Sequence, residues 1–216
     1  MEFNPSRKFR INGESHRTIN IPQEIKNIAE KLQKANFQAY LVGGCVRDVL
    51  ISREPKDWDI ATDAKPEEIQ KLFPGSVYEN KFGTVLVKLE PQINADINAD
   101  KRGYNISANH RKHQRKSALD VVEVTTFRLE GKYTDKRHPD EIKFAKNIEE
   151  DLSRRDFTIN AMAMEIQKSK IKNQNDNSKL KIIDPYAGEN DLKRKVIRTV
   201  GKPEERFGED ALRLMR

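Results

Sequence analysis

The chain has 216 residues, enough for one full domain and part of a second at the usual ~100 to 150 residues per domain. Its 41 lysines and arginines against 34 aspartates and glutamates leave a net charge of +7, a field that favours polyanions and nucleic acid first, although a chain with 35% charged residues is also simply soluble. A single cysteine, Cys45, excludes an internal disulfide and a cysteine-rich zinc site, no apolar run approaches the ~20 residues of a membrane span, and Met1 to Asn20 is not built like a signal peptide, so the expectation is a cytoplasmic protein with no membrane partner.

From Ile21 the spacing of Ile25, Ile28, Ala29, Leu32 and Ala35 predicts a helix, with Pro22 tolerated at its first turn. FQAYLV predicts a buried strand broken by Gly43 and Gly44, and CVRDVLI a short helix starting at that double glycine. DWDIA reads as a second strand, PEEIQKLF as a helix opened by Pro66, and TVLVKL and LDVVEVTTF as two further strands. Between them Pro91 to Ala118 is polar, basic and asparagine-rich, without the apolar surface to offset ordering entropy, and reads as an insertion. Downstream, NIEEDLSRRDFTINAMAMEI predicts a helix running into a loop and strand, and Lys168 to Lys179 a second polar loop. KIIDPYAG predicts strand and turn, VIRTV another strand, and PEERFGEDALRLMR a helix running from Pro203 to Arg216.

The chemistry starts at EPKDWDIAT. On a strand, side chains alternate faces, so Asp57 and Asp59 point one way while Trp58 and Ile60 point into the core. Two carboxylates on one face suit a pair of hard divalent cations of the kind that drives phosphoryl and nucleotidyl transfer, although Asp-x-Asp alone also occurs in ordinary acidic loops. Gly43 and Gly44 lie just upstream, with Arg47 in the next helical turn, where backbone N–H groups and a guanidinium suit a triphosphate. Glu123 supplies a third carboxylate among strand valines: Val121, Glu123 and Thr125 share one face and Val122 and Val124 the other. His110 and His113 stand at HxxH spacing in the basic insertion and read as a solvated loop rather than a zinc site. Lys101, Arg102, Arg111, Lys112, Arg115 and Lys116 form a charge run there, either solvated or in contact with RNA phosphates.

The order LVGGCVRDVL, DWDIAT, KFGTVLV, VEVTTFR, RRDFTINAMA and EDALRLMR resembles the class II tRNA nucleotidyltransferases, the CCA-adding enzymes and bacterial poly(A) polymerases of the polymerase-beta-like superfamily. The resemblance covers roughly Ile21 to Arg216 apart from the two insertions. It implies an α/β fold of the α+β kind: a mixed sheet with flanking helices as a nucleotidyltransferase head over 21–166, followed over 167–216 by the end of the head and the start of a helical neck, with 1–20 as an extension. It implies Asp57 and Asp59 as the Mg2+-binding pair, Glu123 as the third acid that activates the primer hydroxyl, and Gly43, Gly44 and Arg47 as the triphosphate turn. Arg155 and Asp156 would handle the ribose, with Asn160 as a companion. Adenine and cytosine both offer an exocyclic amine beside a ring acceptor, which a carboxylate beside a guanidinium would select. Asp210 and Arg213, one helical turn apart, match the family's template for ATP and CTP, supported by Glu209.

The implied activity is transfer of CMP and AMP from CTP and ATP to the tRNA 3′ end. Relatives with this motif order run on into helical regions that hold tRNA, so weak extension is expected of this chain alone. CC-only or A-only addition, poly(A) synthesis, a small-molecule nucleotidyltransferase and a non-catalytic RNA-binding module stay open as alternatives.

Overall fold

The structure, a computed structural model, describes residues 2–3, 21–79, 82–89, 121–131, 142–166 and 180–216. Both polar insertions, the two histidines at HxxH spacing and the basic run fall outside the described residues. Strand β1 (Glu2–Phe3) comes first, then α1 (Gln23–Lys34), β2 (Ala39–Val42), α2 (Gly44–Leu50), β3 (Asp59–Thr62), α3 (Pro66–Leu72), β4 (Val77–Tyr78) and β5 (Thr84–Lys88). They are followed by β6 (Val121–Thr126), β7 (Arg128–Glu130), β8 (Ile142–Phe144), α4 (Ile148–Ser153), β9 (Ala163–Ile166), β10 (Leu180–Ile183), α5 (Gly188–Arg194) and α6 (Pro203–Glu209). Short 3₁₀ turns occupy Thr158–Asn160 and Ala211–Met215. No helix among the described residues is long and apolar enough to cross a membrane.

Among the described residues eight strands make one mixed sheet in the order β1-β10-β9-β2-β3-β6-β5-β4, and β7 and β8 form a separate two-stranded ribbon. Every pair in the sheet is antiparallel except β3 with β6. A parallel neighbour needs a crossover, and here the chain spends α3, β4 and β5 between the two strands.

Alternation sorts the strand residues into two faces. Leu41, Ile60, Val85, Val122, Val124 and Met164 join one core with the apolar stripes of α1 and α2, Ile69 of α3, and Trp58. Val42, Ala61 and Ala163 point the other way and meet Phe127, Ile148 and Leu152. Trp58 and Ile60 are buried and Asp57 is exposed, as the alternation of DWDIA predicts. The strand is shorter than expected, however: pairing begins at Asp59, and Asp57 lies in the bend before it.

Two other expectations are corrected. VIRTV is not a strand: it makes one bridge, Phe157 with Thr199, because the backbone it meets over Asp156 to Thr158 is itself turning into a 3₁₀ segment. The helix from Pro203 is not continuous: it stops at Glu209, Asp210 is extended at φ −139° and ψ 107°, and its carboxylate caps Leu212 N at 2.9 Å to open the 3₁₀ turn. An aspartate that bonds the backbone two residues on competes with helix propagation. The β7–β8 ribbon, β1, β4 and α5 were not anticipated from the sequence pattern.

Helix α5 sits where it does because Gly188 has no side chain. A Cβ there would collide with the carbonyl of Thr158, lying 2.7 Å from its carbon, and would press Met162 Cγ at 3.1 Å. The helix start is fixed by Asp184, whose carboxylate accepts from Gly188 N at 2.8 Å and Glu189 N at 2.9 Å. Gly188→Ala is therefore expected to destabilise the fold by about 1–3 kcal/mol, the usual cost of overpacking, read as a lower midpoint in urea at unchanged slope.

Candidate functional site

Gly43 makes the turn from β2 into α2 at φ +76° and ψ −136°, a conformation that side-chain-bearing residues rarely adopt, and its N–H donates to Met162 O at 3.3 Å. No side chain caps the start of α2, so its first N–H groups have no intrahelical partners. Next to this turn the parallel register sets Asp59 beside Glu123 on the same sheet face. Asp57, just ahead of the strand, acts electrostatically on both.

The carboxylates crowd one another. Burial raises the pKa of Asp59, Arg155 pulls it back and Asp57 pushes it further up. Partial desolvation raises that of Glu123, and Asp59, Glu79 and Asp57 add to it. Among the described residues no group of three or more His, Cys, Asp and Glu side chains closes to metal-binding spacing. The donor set nevertheless fits a hard cation: it is all carboxylate oxygen, it carries excess negative charge, and neither sulfur nor imidazole is part of it. Cys45, beside the glycine turn, is buried, donates to Val42 O at 3.1 Å, and has its thiol pKa pushed up by burial to about 11, which leaves it inert.

The RRDFTINA segment reaches this place from α4 and the 3₁₀ turn after it. Arg155 Nη2 donates to Asp151 at 3.1 Å. Asn160 Oδ1 accepts from Arg47 Nη1 at 2.8 Å, joining the segment directly to α2, while Arg47 Nη2 also pairs with Asp48 at 2.9 Å. Asp156 is buried; its Oδ1 accepts from Phe157 N at 2.7 Å and from Asn160 Nδ2 at 3.4 Å, and its Oδ2 from Arg216 at 3.2 Å. Arg155, Asp59 and the Asn160 carbonyl lie within 4.0 Å of the point a Cβ on Gly43 would occupy, Gly44 adjoins Arg47, and Glu123 and Asp57 border this neighbourhood through Asp59.

Asp210 and Arg213 remain one turn apart, with Arg213 N donating to Asp210 O at 3.1 Å, but the side chain of each is engaged with other protein partners. Arg213 is buried, donating to Glu209 at 2.6 Å and to Arg206 O at 3.1 Å, with Glu130 at 3.9 Å. Asp210 caps its own turn and has Arg216 at 3.8 Å.

Asp151 was missed by sequence reading. It is 1% exposed and takes Arg154 at 2.9 Å, Arg155 at 3.1 Å and Arg128 N at 3.2 Å. Its i,i+4 spacing to Arg155 on a predicted helix was the available signal. Glu130, which joins Arg154 at 2.6 Å and Arg128 at 3.2 Å, gave no signal, because the ribbon that carries it was not expected.

Residues 39–198 match the family described as the Poly A polymerase head domain. The chain is 43% identical over 190 residues to a CCA-adding enzyme of Lactobacillus delbrueckii subsp. bulgaricus, covering 88% of this chain and 38% of that protein. Its fold is similar to the crystal structure of the Bacillus stearothermophilus CCA-adding enzyme in complex with CTP, at TM-score 0.62 and 36% identity over 90% of this chain and 37% of that one. It is also similar to the Thermotoga maritima CCA-adding enzyme complexed with tRNA, at TM-score 0.54 and 26% identity over 90% of this chain and 35% of the other. The chain spans about two fifths of the length of the curated relatives it matches.

The Asp151 cluster sets a pH dependence. Burial alone would raise the Asp151 pKa, but Arg154 and Arg155 outweigh it and the net shift is downward. A depressed folded-state pKa gives stability that is fully present above the unfolded value of ~3.9 and is lost as pH falls through the folded value. Urea melts from about pH 4 downward should show the Asp151 contribution being lost, so that Asp151→Asn has the flatter profile there while costing about 3 kcal/mol at pH 7.

Proposed function

Because the chain belongs to the Poly A polymerase head domain family, we propose that it is the nucleotide-transferring part of a tRNA nucleotidyltransferase that adds CMP and AMP to the tRNA 3′ end from CTP and ATP. The observation that carries this reading is the register of Asp59 beside Glu123, with Asp57 in the bend just ahead of the strand and the Gly43 turn alongside. The names of the relatives, CCA-adding enzymes at about 40% identity, support the same substrates. We assign the head to 21–166 and the close of the head with the start of a helical neck to 167–216, acting in the cytoplasm where tRNA is the partner.

Asp57 and Asp59 would hold Mg2+, with Glu123 facing the primer. Bound there, magnesium would neutralise charge on the triphosphate and make the primer hydroxyl a better nucleophile. The chain's own residues do the positioning. The N–H groups after Gly43 and Gly44 and the Arg47 guanidinium take phosphate oxygens, and Asn160 fixes the Arg47 fork from behind. Arg155 and Asp156, with Asn160, take the ribose hydroxyls. Glu123 orients the attacking 3′ oxygen and accepts its proton, while pyrophosphate leaves in line. Asp210 and Arg213 read the base, the carboxylate accepting the exocyclic amine and the guanidinium donating to the ring nitrogen. For that they exchange their present partners, Glu209 being the one closest to Arg213.

The test uses tRNA transcripts ending before, within and after CC, each with one labelled nucleotide and Mg2+ under enzyme excess. CMP should go onto the first two and AMP onto the third, with no incorporation from GTP or UTP. Long AMP tails regardless of the end would replace this reading with poly(A) synthesis. Asp59→Asn should lower the rate by on the order of 10³-fold with the fold intact, and Glu123→Gln by on the order of 10²-fold. Asp210→Ala should leave chemistry with the remaining nucleotide contacts but admit UTP, measured as the ratio of kcat/KM for CTP over UTP.

A further inference from the structure

Arg155 is tied at one end and unsatisfied in the middle. Its Nη2 donates to buried Asp151 at 3.1 Å, and its Nε is buried with no hydrogen-bond partner among the described residues. Its Nη1 lies 2.8 Å from the point where a Cβ on Gly43 would sit, and that same point is 3.8 Å from Asp59 Oδ2. The guanidinium and the carboxylate therefore both border the space a side chain would fill at Gly43. Of the groups that act on Asp59, burial and Asp57 disfavour its charge, and Arg155 favours it. The guanidinium stays charged at any working pH, so it is a permanent countercharge on a fixed tether.

Resting on the metal-carboxylate reading above, we propose that Arg155 is the resident countercation of Asp59, and that a divalent ion binding there must work against the guanidinium for the same carboxylate. Asp151 aims the arginine, and Gly43 leaves open the gap that it and Asp59 border. The competition is reciprocal, so whatever draws Arg155 away from Asp59 tightens the ion by the same factor. Ribose hydroxyls, which accept from a guanidinium, are the groups in this site fitted to do that, and nucleotide and ion would then load together rather than separately.

Binding of Mn2+ alone, followed by the loss of its free EPR signal without nucleotide or RNA, tests this directly. Arg155→Gln should bind Mn2+ roughly tenfold tighter than the unaltered chain, within the usual range of coupling between sites, and Arg155→Lys, which keeps the charge, should stay within about twofold. Asp59→Asn should lose the binding. Arg155→Gln binding equally or more weakly, while Asp59→Asn abolishes binding, overturns the competition and leaves the metal reading standing. Arg155→Lys binding as tightly as Arg155→Gln overturns it too, since charge would then not be the cause. Asp59→Asn binding Mn2+ unchanged overturns the metal reading and this inference with it. Should Arg155→Gln unfold because Asp151 loses a partner, the double variant Asp151→Asn with Arg155→Gln removes both charges and gives the same readout.

Discussion

The one parallel strand pair among the described residues sets the rest of the site. Parallel register puts Asp59 and Glu123 side by side on one face, a like-charge neighbour pair that costs roughly 0.2–1 kcal/mol in a sheet. The residues that alternate with them are Ile60, Val122 and Val124, all buried, with Trp58 ahead of them. Each such burial contributes about 1.5–3 kcal/mol, so the apolar face holds the strands in place and the charged face has to accept the register. A slip of one residue would relieve the repulsion and turn the core outward. The charges stay adjacent because the hydrophobic side has no alternative.

Much of that face was legible before any coordinates. The alternation Trp58, Ile60 against Asp57, Asp59, and Val122, Val124 against Glu123, is a local signal with period two, and the burial follows it. What alternation does not contain is which strand lies next to which. The neighbour of β3 comes from more than fifty residues downstream, across an insertion, and only the resemblance to known nucleotidyltransferases linked Glu123 to Asp59. Local pattern also overreached: VIRTV has the composition of a strand, but Ile197 is 71% exposed and the stretch pairs only with a turning backbone.

The charged residues show the same division. Asp151, Arg154, Glu130, Arg128, Arg213, Glu209 and Arg206 make a chain of contacts from α4 through the β7–β8 ribbon to the end of α6. Sequence spacing reveals only its local links, Asp151 to Arg154 and Arg155, Arg206 to Glu209, and Glu209 to Arg213. The links that cross from one element to another depend on packing, and they decide how the pieces sit. Arg206 adds two backbone acceptors, Val200 O and Ser153 O, both at 2.7 Å, which fasten α6 onto the turn after α4.

This network explains why Asp210 and Arg213, the pair proposed to read the base, are occupied by protein partners. A guanidinium buried without a partner would be far less stable than one paired with a carboxylate, so Arg213 must hold something. Glu209 and the Arg206 carbonyl provide that, and Asp210 likewise satisfies itself on Leu212 N. The same logic applies to Arg155 between Asp151 and Asp59. Under the proposed function, a charge that would bind ligand is in both places kept partnered by protein until a ligand of matching hydrogen-bonding pattern substitutes. Selectivity would then come from the exchange: a base or ribose that failed to replace the lost bonds would leave a buried charge unpaired, and that penalty exceeds what a simple mismatch on an exposed surface would cost.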